Sequence, residues 1–162
     1  MLNKRRGFLI AGFLTTAVFI MNSGKIFTTV SPKDTLDILQ NDLFAKAETL
    51  GVNVSAYLSL ILQHSRINKD DKEYIRNGTK WINEEAVEVY KKLYHELTKS
   101  EREQLLKRVS KSEWGESYMA TILTYILEAI FSDPVYGVNT KRAGQKWLKF
   151  ENGLPYPKEA LL

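Results

Sequence analysis

Residues whose types suit catalysis or metal binding are few and scattered along this 162-residue chain. It has no cysteine, which excludes disulfides, thiol catalysis, iron–sulfur ligation and cysteine-bound zinc. The two histidines, His64 and His95, are far apart in sequence, and neither has a second ligand at metal-binding spacing. The sequence therefore predicts two helix-end or surface histidines and no metal site.

Two adjacent carboxylate pairs, Asp70–Asp71 and Glu84–Glu85, remain as candidates for acid–base chemistry. Neighbouring residues on a helix point in different directions, so neither pair converges on one substrate atom as such chemistry requires. The chain also lacks a Gly-x-Ser-x-Gly elbow, a dinucleotide fingerprint and a phosphate loop. These observations predict no catalytic residue and no cofactor site in this chain, and an autonomous enzyme is the least favoured interpretation.

The formal net charge of +4 and the pI of about 9.2 are typical of a nucleic-acid-binding protein, so the position of the charge matters. Residues 1–31 contain four basic side chains and no acidic one, whereas residues 32–162 are balanced. The basic excess therefore belongs to the N-terminal segment alone, and we expect no nucleic-acid partner.

That segment has the layout of an export signal: a short basic region precedes an uncharged run over residues 7–22. Arg5 and Arg6 are followed by one free position and then Phe8 and Leu9. This order matches the twin-arginine pattern of the Tat pathway, which exports folded proteins. We expect these four residues to form the export signal and the protein to be periplasmic.

The fate of this leader is left open by the sequence. No Ala-x-Ala cleavage site is present, and the uncharged run is slightly shorter than the ~20 residues that span a bilayer comfortably. Residues 1–31 are accordingly predicted as a signal helix that is removed, or as an inner-membrane anchor that contacts the membrane through residues 7–22.

The remainder, residues 32–162, predicts one all-α domain, a compact bundle of about five helices. The first helix is expected from Pro32 to Gly51 along one apolar stripe, and the second over Val54–Gln63. A third should begin after Asn68 and run towards Leu97, with Gly78 marking a kink, a break or a close helix approach.

Two further helices complete the predicted bundle. The fourth begins at the capping box Thr98–Glu101, and the fifth runs from Ser112 to Ser132, before Pro134.

Residues 133–162, the tail, hold three of the four prolines and scattered aromatic residues. Such a tail either wraps on the bundle or presents its aromatic side chains to a partner.

Three segments carry a resemblance to a known family: the leader, residues 77–82 (Asn-Gly-Thr-Lys-Trp-Ile), and the tail motif 133–139 (Asp-Pro-Val-Tyr-Gly-Val-Asn) followed by 144–148 (Gly-Gln-Lys-Trp-Leu). Together they resemble the gluconate 2-dehydrogenase subunit 3 family, the small gamma subunits of membrane-associated sugar and sugar-acid dehydrogenases. The chain departs from the family pattern at Val138, where members typically have a second glycine, and in residues 149–155.

The resemblance implies a non-catalytic subunit. In such complexes a large FAD-containing subunit oxidises the substrate, and a cytochrome c subunit with haem passes electrons to quinone. The small subunit resembles an escort that binds the folded flavoprotein and supplies the Tat signal for both. We expect docking residues in the tail: Asp133, Pro134, Tyr136, Gly137, Asn139 and Trp147. A stand-alone exported or anchored helical binding module, without a redox partner, is the alternative.

Overall fold

In a computed structural model of the chain, the described residues are 21–22, 25–26, 32–65, 67–151 and 153–159. Two short strands, β1 (Met21–Asn22) and β2 (Lys25–Ile26), pair antiparallel. Seven α-helices follow in the described part: α1 (Pro32–Leu43), α2 (Lys46–Thr49), α3 (Val54–Gln63), α4 (Lys69–Tyr90), α5 (Lys99–Val109), α6 (Glu113–Phe131) and α7 (Ala143–Leu148). Single 3-10 turns lie at Tyr94–Glu96 and Pro134–Tyr136.

The all-α prediction is confirmed for the body of the chain, and α6 lies at its centre. This helix contacts α1, α3, α4 and α7, because an apolar stripe along it is fully buried. The stripe includes Ile122, Ile126 and Ile130.

The predicted Tat signal lies outside the described residues, as do all but the last two residues of the 7–22 run. The residues of that signal are Arg5, Arg6, Phe8 and Leu9.

Four helix starts follow the side-chain caps that the sequence contains. Asn53 accepts a hydrogen bond from the Ala56 amide at 2.9 Å, and Asn68 accepts one from the Asp71 amide at 2.7 Å. The Thr98–Glu101 capping box forms in both directions, and Ser112 caps α6. The capping box lowers the pKa of Glu101, because its carboxylate accepts the Thr98 amide.

Two predicted helix boundaries are wrong. The first helix ends at Leu43, not at Gly51, because the chain turns at Phe44 and Ala45 so that the buried Gln40 can accept the Val54 amide at 2.8 Å. The third ends at Tyr90, not near Leu97. Its last carbonyls are capped by Lys91 in the left-handed conformation, which sends the following residues back onto the core.

Gly78 is the site of a close helix approach, one of the alternatives predicted for it. A Cβ at this position would overlap ring atoms Cδ2 and Cε2 of Tyr118 on α6. The Tyr118 ring therefore lies directly on the backbone of α4, and its hydroxyl is hydrogen-bonded to Thr79 Oγ1 at 2.7 Å. Burial raises the pKa of Tyr118.

This contact begins a buried polar chain that joins α1, α4, α5 and α6. Thr79 O accepts Asn83 Nδ2 at 3.1 Å, and Asn83 Oδ1 accepts the Tyr94 amide at 3.1 Å. The Tyr94 hydroxyl donates to Asp42 at 2.7 Å, and Arg102 Nε donates to the same carboxylate at 2.6 Å. Every link is satisfied inside the fold, so the helices are held in one arrangement.

Replacing Gly78 by alanine tests the close approach. Alanine is normally favoured in a helix by about 1 kcal/mol, but here its methyl group must displace the Tyr118 ring. We expect the free energy of unfolding to fall by about 1–3 kcal/mol, measured by urea denaturation. Gly153→Ala is the control, because a Cβ there meets open space. Equal stability of both variants would contradict the contact.

Candidate functional site

The tail leaves α6 through a compact turn. The Asp133 side chain accepts the Val135 amide at 3.1 Å, and Pro134 opens the 3-10 turn that ends at an exposed Gly137. Tyr136 is half-buried in this turn. Asp133 also lies 3.7 Å from the guanidinium of Arg142 further along the tail. The turn therefore anchors itself through local contacts while leaving part of its surface open.

Asn139 holds the tail to the end of α6. Its amide nitrogen donates to the carbonyls of Ile130 at 2.8 Å and Ser132 at 3.0 Å, and to Gln145 Oε1 at 2.8 Å. Its amide oxygen accepts the Ala143 amide at 2.7 Å. The carbonyls at a helix end have no partner within their own helix, so Asn139 supplies one from the tail.

Gln145 and Gly144 complete this attachment. Gln145 Nε2 donates to the Phe131 carbonyl at 2.9 Å, and a Cβ at Gly144 would overlap the Ile130 carbonyl oxygen. Helix α7 thus lies against the C-terminal turn of α6, close enough that its contact residue must be glycine. Asn139 and Gln145 are both buried, so they hold the tail in place from within.

Trp147 lies on the outer side of α7 and is partly exposed. Its ring meets Phe44 edge-on at 6.2 Å between centroids, and the Lys46 ammonium is 5.7 Å from the ring centre. These contacts join α7 to the turn between α1 and α2. The tail therefore wraps on the bundle at its inner side and leaves an indole partly exposed to solvent. The presentation of this side chain to a partner stays a prediction.

A concave site that the sequence interpretation missed lies beside Trp147. This tail cleft has a volume of about 430 Å³ and is formed chiefly by Arg142, Lys146, Lys149, Phe150 and Tyr156. The Arg142 guanidinium lies 3.4 Å from the centre of the Tyr156 ring. The sequence signal that could have predicted this cleft is the spacing of Arg142, Lys146 and Lys149, which follow one another at intervals of four and three residues.

A second groove, of about 390 Å³, lies on the side of α4 and α6 and is acidic. It is formed by Trp81, Trp114, Glu84, Glu85 and Glu88, and the two indoles meet edge-on at 5.4 Å. Within the described residues, Lys80 and Arg108 form ion pairs with these carboxylates. The balanced net charge of the body is thus separated into a basic tail and an acidic groove.

The clearest pKa shifts in the described part of the chain belong to tyrosines and have packing causes. Burial and the Asp42 carboxylate raise the pKa of Tyr94, and burial and Glu128 raise that of Tyr57. Among the described residues, no group of three or more acidic or histidine side chains is arranged to hold a metal. None of the described helices is both long and apolar enough to span a bilayer.

The histidines and the carboxylate pairs occupy separate places. His64 follows the last residue of α3 as its C-cap, and His95 lies in the 3-10 turn after α4. Asp70 and Asp71 are exposed in the first turn of α4, where acidic residues complement the helix dipole. Among the residues that the structure describes, none of these groups lines the tail cleft.

Comparison with known families identifies the chain. The family model described as gluconate 2-dehydrogenase subunit 3 matches residues 24–153, which is most of the sequence. The chain belongs to this family. The resemblance inferred from the segments at 77–82, 133–139 and 144–148 is thereby confirmed, and the protein is an accessory subunit of a dehydrogenase complex. Neither the curated proteins nor the solved structures gave a match.

In this family member, the attachment of the tail can be tested by Asn139→Asp. The change removes a donor that faces three oxygen acceptors and places a carboxylate among them. We expect the free energy of unfolding at pH 7 to fall by about 2–3 kcal/mol, measured by urea denaturation.

The pH dependence of this variant has a definite sign. Burial beside carbonyl oxygens raises the pKa of the new carboxyl in the folded state. The loss in free energy of unfolding therefore grows as the pH rises above the unfolded-state pKa of about 4, and it shrinks below that pH, where the carboxyl is protonated in both states. Asn53→Asp is the matched control, because that side chain caps α3 as an acceptor and the carboxylate can replace it. Equal losses at both positions would contradict the role of Asn139.

Proposed function

We propose that this subunit docks on the large FAD-containing subunit of a sugar or sugar-acid dehydrogenase and supplies the Tat signal that exports both. The observation that carries this proposal is membership of the subunit 3 family in a chain whose residues 5–9 read Arg-Arg-Gly-Phe-Leu. In this assignment, catalysis belongs to the partner, and the present chain acts in its maturation and transport to the periplasm.

The physical requirement for such an escort comes from the cofactor. FAD binds to a flavoprotein as it folds, and the loaded enzyme then needs an export route that accepts folded cargo. The Tat pathway provides that route, provided that the cargo carries or binds a twin-arginine leader. Residues 5–9 fit the recognition role, and an uncleaved 7–22 segment would also hold the complex at the membrane.

The proposed docking surface lies in the tail. Asp133, Pro134, Tyr136 and Gly137 form its turn, Asn139 fixes the position of that turn from inside, and Trp147 supplies an exposed aromatic side chain. Partly exposed aromatic residues on a rigid support are typical of interface centres. A cytochrome c subunit with haem is a further proposed component of the complex.

Co-purification tests the docking proposal directly. The tagged full chain is expressed with a candidate large FAD-containing dehydrogenase subunit from the same organism, and the purified material is assayed for flavin absorbance and subunit ratio. We expect an equimolar complex that contains FAD. A chain that purifies without this subunit would instead support a stand-alone exported binding module.

The export role predicts a specific effect of replacing Arg5 and Arg6 by lysine. The charge of the leader is kept, but the arginine pair that the translocase reads is lost. We expect both this protein and the dehydrogenase activity to remain in the cytoplasm, measured by cell fractionation and enzyme assay. Lys4→Arg, which leaves the pair intact, should export normally. Normal export of the dehydrogenase in the double variant would contradict the escort role.

A further inference from the structure

In the described part of the chain, the exposed large apolar side chains are concentrated in one short segment. Among the described residues, four of the six large apolar side chains that are clearly exposed lie between residues 147 and 154. They are Trp147, Leu148, Phe150 and Leu154, with exposed fractions of 41%, 55%, 59% and 80%. Such clustering is characteristic of an interaction surface, whereas isolated exposed apolar residues are ordinary.

The same segment carries an excess of positive charge around a concave site. The tail cleft has Arg142, Lys146 and Lys149 on its walls against a single acidic residue, Glu151. In the described part of the chain, Arg142 forms an ion pair at 3.7 Å with Asp133, whereas neither lysine is paired with a carboxylate. The cleft therefore attracts an anionic group.

The backbone that forms the walls of the tail cleft is also rigid. Arg142 and Lys149 flank α7 and both adopt the left-handed backbone conformation, with φ of +51° and +55°. This conformation is unusual for residues other than glycine and is maintained here by the attachment of α7 to α6. The Tyr156 ring lies against the Arg142 guanidinium and closes one side of the cleft. The backbone that carries the three cationic residues is thus fixed, and the Arg142 guanidinium is held in addition by Tyr156 and Asp133.

We propose that the tail cleft receives a carboxylate side chain from an apolar segment of the large flavoprotein subunit. The carboxylate enters between Lys146, Lys149 and Arg142, while Phe150 and the neighbouring leucines contact the apolar residues on either side of it. This inference rests on the proposed function and names the chemistry of its interface. An acidic residue bordered by apolar ones complements the cleft in both charge and polarity.

A membrane surface is the competing occupant, because cationic and aromatic side chains also bind anionic lipids. Two features favour the protein partner. Helix α7 has only six residues, much shorter than the amphipathic helices that lie in a membrane interface. The cationic side chains and Phe150 also line a concavity, which can enclose one inserted side chain.

The test uses the full-length chain and the FAD-loaded large subunit, with the dissociation constant measured by titration. Charge reversal at Lys146 and Lys149 (K146E/K149E) should weaken binding roughly tenfold or more at low salt. Because surface charges are screened by salt, the difference from wild type should shrink as NaCl rises from about 0.05 to about 0.5 M. Phe150→Ala should weaken binding roughly tenfold with little dependence on salt.

K107E/K111E is the matched control, because it makes the same charge change at exposed positions on and just after α5. Circular dichroism and thermal unfolding establish that all variants remain folded. If the wild-type complex forms and K146E/K149E binds as tightly as the control, the inference is wrong and the docking function stands. If the wild-type chain forms no complex, the proposed function itself fails and the inference fails with it.

Sedimentation with phosphatidylglycerol vesicles, compared with phosphatidylcholine vesicles, separates the two occupants. We expect K146E/K149E to reduce binding to the large subunit far more than binding to anionic vesicles. Loss of vesicle binding with unchanged affinity for the large subunit would overturn the proposal and assign the cleft to the membrane surface.

Discussion

The arrangement of the bundle depends on one chain of buried polar side chains, each of which needs a hydrogen-bond partner inside the fold. Tyr118 lies on the glycine backbone of α4 and is hydrogen-bonded to Thr79, which begins the buried polar chain. The chain continues through Asn83 and Tyr94 to Asp42. Apolar side chains tolerate many relative positions, but these groups are satisfied in only one, so a slipped helix would leave several of them unpaired. Hydrophobic burial drives the helices together, and the polar chain selects how they meet.

The tail obeys the same requirement at the other end of α6. The last carbonyls of that helix would otherwise be unpaired, and Asn139 and Gln145 supply their donors. Because the amide side chains of Asn139 and Gln145 occupy the inner side of the tail, Trp147 and Phe150 are left on its outer side beside the exposed lysines. The exposure of Trp147 and Phe150 is therefore a consequence of how the tail is attached. A docking surface on such a support loses little conformational freedom when it binds.

Charge distribution gives the subunit two distinct faces as well as a charged leader. The body is neutral overall, which initially favours docking through shape and aromatic side chains alone. The fold, however, gathers Lys146 and Lys149 into a basic cleft and Glu84, Glu85 and Glu88 into an acidic groove. A net charge of zero thus conceals a cleft whose lysines lack a carboxylate partner among the described residues, and a groove whose carboxylates are paired with Lys80 and Arg108. A partner that docks on the tail, as proposed, is consequently restricted in charge as well as in shape.

Local chemistry in the sequence determined the helix starts, the all-α class and the family. Caps such as Asn53, Asn68, Thr98 and Ser112 act over three residues, so they can be read without knowledge of the fold. The helix ends near Leu43 and Tyr90 could not, because bonds between distant residues decided them. The same holds for the candidate site. The sequence marked residues 133–139 and Trp147, but only the tertiary structure turned Asn139 inward and assembled the tail cleft, since both depend on the contact between α7 and the end of α6.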